Sequence, residues 1–285
     1  MKGLLLALVL AVSSLQAAAQ SAVLVDGVQM PAWRERGAAR VPLVPGMELR
    51  AGDRILTGKD ARVLLKLSEG SVVKLGENGK LVISEVQPAT ELFRAALQVL
   101  EGAFRFTSDI AAKARKRDVK VSIDQVTIGI RGTDVWGRAR GERQIVCLLE
   151  GAVEVAGPGE APVRLDQPRQ FYRRDKGKTE PVGFVDAKQF VQWAAETDIE
   201  SGKGALRSGG AFALTLLTSD QQAKARGVRD QLRQAGYPAE IARGKDGDKA
   251  VYSVRIRYLP SREEAEALAG RLKGRYGAEE AKISG

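Results

Sequence analysis

Apolar and polar residues alternate with a period of two through most of the first two thirds of the chain, the pattern of strands with one buried face. Ala61, Val63, Leu65 and Leu67 fall on one side of a segment that stops at Glu69-Gly70, and Ser71–Leu75 continues beyond, which predicts a hairpin. A second hairpin is expected across Gly76-Glu77-Asn78-Gly79 into Leu81-Val82-Ile83, because Asn-Gly favours tight turns. Val119, Val121 and Ile123 alternate with Lys120, Ser122 and Asp124, and Val126, Ile128 and Ile130 repeat the arrangement within Gln125–Val135. Gly129 and Gly132 in that stretch accommodate a bulge or a close backbone approach. With Gln144–Leu149, Val153–Val155, Val163–Leu165 and Gln170–Tyr172 the set comes to roughly ten strands. Ala89–Leu100 is the ambiguous segment: Leu92, Ala96 and Val99 share helical spacing, and a β reading stays open.

The pattern changes after residue 182. Phe190, Trp193, Ala194 and Thr197 recur at helical spacing behind Asp186, an N-cap residue, so residues 183–200 hold a short helix that Trp193 packs onto the β domain. Glycine, serine and lysine then dominate residues 201–210, the composition of a linker. Residues 211–285 read as strand, helix, strand, strand, helix, strand, the split βαβ order with both helices on one face of the sheet. Ser261 followed by Glu264 marks the start of the second helix as a capping box. Lys245–Lys249 is a hairpin turn with too few oxygen ligands for calcium. The expected architecture is a mainly β domain over residues 22–182, built as a roll, solenoid or sandwich, followed by a small α+β domain.

Residues 1–19 combine a basic start at Lys2, an apolar run from Leu4 to Val12 and small residues ending in Ala19, which predicts a cleavable secretory signal peptide. The run is too short to span a bilayer comfortably, no later segment spans one, and no cysteine follows it to take a lipid. A periplasmic location is therefore expected. The chain has no histidine, which removes the commonest general base and metal ligand, and neither a metal nor a cofactor is expected. Its one cysteine, Cys147, lies in an apolar run and reads as a buried side chain. A formal net charge of +10 favours anionic partners. Export argues against nucleic acid as that partner, and the Lys113–Arg117 cluster, without aromatic neighbours, reads as a solvated loop.

Six segments, Gly46–Gly58, Leu65–Ser71, Leu75-Gly76, Leu100–Arg105, Ile130–Thr133 and Leu149–Val153, stand in the order of the FecR-domain signature, and the first domain resembles that family. The resemblance implies an exported all-β module. The best-known members are membrane-spanning regulators of a cytoplasmic sigma factor. This sequence shows neither a cytoplasmic N-terminal domain nor a later span, so that role is not carried over. Within the motif Gly52, Asp53, Gly132 and Thr133 are expected to be structural, and Arg131 to pair within its own domain, for example with Asp134.

The last domain is similar to the SPOR domain, through Phe212–Leu216, Ala223 to Ala239, Tyr252–Ile256 and Ser261–Ala265. That resemblance implies binding to peptidoglycan strands that lack stem peptides. Thr215 stands where the family pattern has glutamine, and Leu217 and Arg257 where it has glycine. Thr215, Tyr252, Arg255, Arg257 and Tyr258 are the implied binding residues, gathered near the open sheet face. The expected function is that of a non-enzymatic envelope protein whose C-terminal module binds peptidoglycan while the β module engages an unidentified envelope protein. A scaffold or signal relay without glycan binding is the alternative, and a paired-carboxylate hydrolase is a third reading.

Overall fold

The computed structural model describes residues 22–87, 92–108, 116–130 and 132–285. The expected signal peptide, Arg131 and the Lys113–Arg115 part of the basic cluster lie outside the described residues.

The predicted alternation becomes two β layers that share one core. Ala61, Val63, Leu65 and Leu67 are all buried, as are Val126, Ile128 and Ile130. The hairpin of Arg62–Leu67 and Val72–Leu75 forms as expected. Among the described residues, eighteen strands run from Val23 to Phe184 where roughly ten were expected. The surplus includes pieces as short as Glu48–Leu49 and Gly183–Phe184, which carry no periodicity to read.

Of the ambiguous segment Ala89–Leu100, residues 89–91 lie outside the described residues and Leu92–Leu100 resolves in favour of the strand. Leu92–Thr107 is a sixteen-residue strand that bends from one layer into the other. Its first part pairs with Lys80–Gln87 and, in parallel, with Lys116–Ile123. From Gly102 it pairs with Asp134–Arg140, and its last residues pair with Val72–Leu75. The buried positions Phe93, Ala95, Leu97 and Val99 follow period two, so burial of one sheet face overrides the helical spacing of Leu92, Ala96 and Val99.

The second hairpin does not form. Val72–Leu75 and Lys80–Gln87 belong to different layers, and Gly76–Gly79 is a corner between them. Thr57 fixes that corner, its hydroxyl donating to Gly76 O at 2.6 Å and accepting from Gly79 N at 2.7 Å. Similar corners stack beside it. Gly58 N donates to Pro31 O, Asn78 N to Gly58 O and Gly76 N to Ala103 O. A second pair of corners, at Gly132-Thr133 and at Gly151, lies where Val126–Ile130 passes to Asp134–Arg140 and Arg143–Glu150 to Val153–Ala156. The domain is thus a flattened β roll whose turns between layers carry Gly52, Gly58, Gly76, Gly132 and Gly151 of the ordered signature, while Gly70 turns a hairpin within one layer.

Helix α1 (Ala187–Ala195) begins at Asp186, whose carboxylate accepts from Gln189 N at 2.9 Å. Trp193 stacks on buried Trp136 at 4.6 Å between ring centroids, and Phe171 meets Trp193 edge-on at 6.2 Å, so the helix packs on the roll as its tryptophan predicts. Arg105 donates to Ala194 O, satisfying a carbonyl that the helix end leaves open.

The C-terminal module is a four-stranded antiparallel sheet in the order Glu240–Asp246, Lys249–Leu259, Phe212–Ser219, Lys282–Ser284. Helices α2 (Gln222–Gln234) and α3 (Arg262–Leu272) bury Ala225, Val228, Leu232, Ala265, Leu268 and Leu272 against Leu214, Leu216, Val254 and Ile256.

The stretch 201–210 is part of the fold. Ala205–Arg207 is a strand paired with Val23–Gln29 of the roll. Glu264, read as a capping-box residue, directs its buried carboxylate away from Ser261 to accept from Gly202 N at 2.7 Å and Ala205 N at 2.9 Å. The roll in turn caps α2: Trp33 Nε1 donates to Gln234 O and Ala32 N to Gly236 O. Arg271 Nη1 reaches Met30 O at 2.9 Å. Glu264→Ala leaves two amides without their charged acceptor and is expected to cost about 2 kcal/mol. Urea denaturation measures that loss, and hydrogen exchange at Gly202 and Ala205 should speed up more than exchange in the roll core.

Candidate functional site

Strand alternation puts Leu214, Val254 and Ile256 under the helices and turns Thr215, Ser253, Arg255 and Arg257 to the opposite, uncovered face. Thr215 and Arg255 are register partners on the two central strands. Glu240 faces Arg255 across the next pair, and its carboxylate accepts from Arg255 Nε at 2.8 Å and lies 3.6 Å from Arg257 Nη1. The Arg257 guanidinium sits 5.1 Å from the Tyr258 ring centroid. Thr215, Arg255, Arg257 and Tyr258 are therefore neighbours.

Tyr252 is not among them. It shares the parity of Val254 and Ile256 and packs against the helix-covered core, because no bulge separates it from those residues. The expected placement of Tyr252 on the open face is thus corrected. Tyr258 also packs partly against the core, but its φ is +68° and the register with Phe212–Leu214 shifts there, so it departs from that alternation and lies beside the Arg257 guanidinium. Gly210 lies so close to the Tyr258 carbonyl that no side chain fits between them.

Glu240 is the residue that sequence reasoning missed on this face. Its strand position was legible, yet its partner was not, since the hairpin register decides which cross-strand residue it meets. All three charged groups are over a third exposed, and an exposed ion pair of this kind is worth about 0–1 kcal/mol. A ligand bearing hydroxyl or carboxylate groups can displace Glu240 at little cost. The face offers planar donor forks, a hydroxyl and an aromatic ring side by side.

In the roll, Asp53 is fully buried and accepts from Arg36 Nε at 2.6 Å, Arg36 Nη2 at 2.7 Å and Arg50 N at 2.8 Å. Burial works against ionisation, and these hydrogen bonds together with the Arg36 charge outweigh it, holding the carboxyl below the usual range. Gly52 and Gly132 both have positive φ, +88° and +75°. Thr133 is buried; its Oγ1 donates to Glu150 O at 2.7 Å and its N–H donates to Ser108 Oγ at 2.6 Å. Asp134, suggested as a partner for Arg131, has both oxygens engaged by Arg105 at 2.8 and 2.6 Å. The Arg105 position relative to Asp134 follows from the pairing of two strands far apart in sequence, which the motif does not encode.

Gly129 sits in a regular ladder between Lys120 and Glu154 and makes no bulge. Cys147 is completely buried, and burial pushes its thiol up to about 12. A cleft of about 410 Å³ at the end of α1 gathers Glu77, Glu101, Arg138 and Glu196. Burial raises the Glu196 carboxyl while Arg138, 3.0 Å away, opposes the shift. Among the described residues no helix is long and apolar enough to cross a membrane.

No curated protein matches the chain. Two crystal structures of a candidate anti-sigma factor from Parabacteroides distasonis ATCC 8503, at 1.65 and 2.50 Å resolution, are similar at 14% and 15% identity. Each comparison covers 73% of this chain and 99% of the other, with TM-scores of 0.40 and 0.41. Residues 53–154 match the family model for FecR protein, and residues 208–281 match the model for the SPOR domain. The chain thus joins a FecR domain, set within the β roll, to a C-terminal SPOR domain.

Proposed function

We propose that the protein is a non-enzymatic component of the periplasmic envelope, in which the SPOR domain binds peptidoglycan glycan strands and the FecR domain serves as a protein-interaction or sensing module. The observation that carries this reading is the uncovered sheet face, where Thr215, Arg255, Arg257 and Tyr258 adjoin opposite a helix-covered core. Arginine forks hydrogen-bond sugar hydroxyls and carboxylates, and an aromatic ring gives flat contact to a pyranose.

The test is retention of the exported chain on sacculi, intact and treated with an amidase that removes stem peptides. Retention on treated sacculi supports the reading, and Arg255→Ala with Arg257→Ala should reduce it at least tenfold with the thermal midpoint unchanged. Absence of retention on either preparation sinks the reading in favour of a scaffold or signal relay without glycan binding. The ion pairing of both arginines to Glu240 is what that second reading rests on.

A further inference from the structure

The seam between the two domains holds a second cleft, of about 370 Å³, walled by Trp33, Arg40 and Pro42 of the roll and by Arg233 and Gln234 at the end of α2. Its floor is fixed. The Trp33 indole N–H donates to Gln234 O, and Gly236 abuts the ring so closely that a Cβ there would lie 2.7 Å from it. The Arg40 guanidinium stands over the same ring, 4.3 Å from its centroid, which orients the planar fork before any ligand arrives.

Both arginines have donors to spare. The only carboxylate near Arg40 among the described residues is Glu35, at 3.9 Å and outside hydrogen-bond range. Arg233 makes one long contact, 3.4 Å to Ala239 O, and has no carboxylate within 4.0 Å among the described residues. Two positively charged forks from separate domains therefore flank one opening without a protein anion between them. Such an opening recognises a carboxylate, and the adjoining indole, proline ring and Gln234 side chain suit a sugar that carries it.

We propose that this seam cleft is a second saccharide site, specific for the carboxylate of an acidic envelope sugar, and distinct from the open sheet face. The proposal rests on the peptidoglycan reading above. Removal of a stem peptide hydrolyses the amide on the lactyl group of N-acetylmuramic acid and leaves a free carboxylate on every such sugar. The seam reads that charge, while the sheet face reads the strand.

The experiment is isothermal titration of the mature full-length chain with peptide-free glycan oligosaccharides, native and with their carboxylates methyl-esterified. Esterification is expected to weaken binding at least tenfold for the wild type. It should make no further difference in the Arg40→Gln/Arg233→Gln protein, and should persist in the Arg255→Ala/Arg257→Ala protein. Both arginine pairs are partly exposed, so thermal midpoints should stay within a few degrees and confirm that each variant is folded. Equal binding of native and esterified glycan by the wild type overturns the proposal alone, as does an esterification effect retained without Arg40 and Arg233. Absence of binding to either glycan overturns the peptidoglycan reading, and the proposal with it.

Discussion

Gly151→Ala is expected to destabilise the protein by about 4 kcal/mol, and Gly132→Ala, one corner away, by only about 1 kcal/mol. Both glycines have positive φ, so each alanine meets the left-handed penalty. The difference lies in the space around them. A Cβ on Gly151 would stand 2.5 Å from Gly132 O and 3.1 Å from Thr133 Cα, backbone atoms that cannot step aside, whereas a Cβ on Gly132 meets nothing within 4 Å. Thr133 holds the two corners at this separation through Glu150 O. Chemical denaturation of the two variants measures the contrast, and equal losses would show that the corners do not touch as described.

Asp53→Asn gives the second large effect, a loss of about 3 kcal/mol at neutral pH, because the Arg36 fork and the Arg50 amide lose a buried anion. The pH dependence follows from the direction of the shift. A carboxyl held low in the folded state contributes its full stability above the unfolded value, about 3.9, and loses it as pH falls through the lower folded value. Wild-type stability should therefore drop steeply below about pH 4. Part of that drop belongs to Glu160, held low first by the Thr179 hydrogen bond. The difference between wild type and Asp53→Asn isolates Asp53: it is largest at neutral pH and narrows in acid, and a constant gap from pH 7 to 2 would contradict the assignment.

Much of this architecture is written in local patterns. The buried faces of Ala61–Leu67 and Val126–Ile130, the Asp186 cap and the Trp193 contact are visible because each depends on residues a few positions apart. The same holds for the strand and helix order of the SPOR domain. What local pattern cannot show is which layer a strand joins. Asn78-Gly79 has the chemistry of a hairpin turn, yet Thr57 and Gly58, some twenty residues earlier, make it a corner. Glu264 has the spacing of a cap partner, and its carboxylate serves backbone amides near residue 203 because the domains dock there.

The candidate site divides in the same way. Arg255 and Arg257 share a face by simple alternation, which a sequence displays. Tyr252 obeys that alternation too and so lies on the other side, while the bulge at Tyr258 breaks it. The seam cleft has no sequence signal at all, since Arg40 and Arg233 meet only through the contact of two domains.

The pairing of Ala205–Arg207 with Val23–Gln29 bears on the order of assembly. Val23–Gln29 is the first strand of the roll, flanked along its length by Arg62–Leu67 and on its other side by Glu48–Leu49 and Ala205–Arg207. A chain that emerges N-terminus first therefore carries the Gly27–Gln29 edge bare until residue 207 has followed, with its backbone amides and carbonyls open to wrong partners. A fragment cut at residue 200 keeps that edge exposed permanently, although it contains every strand of the FecR match. The last piece of the roll is thus supplied from the doorstep of the next domain, and the boundary between the two is a closing step in folding rather than a gap.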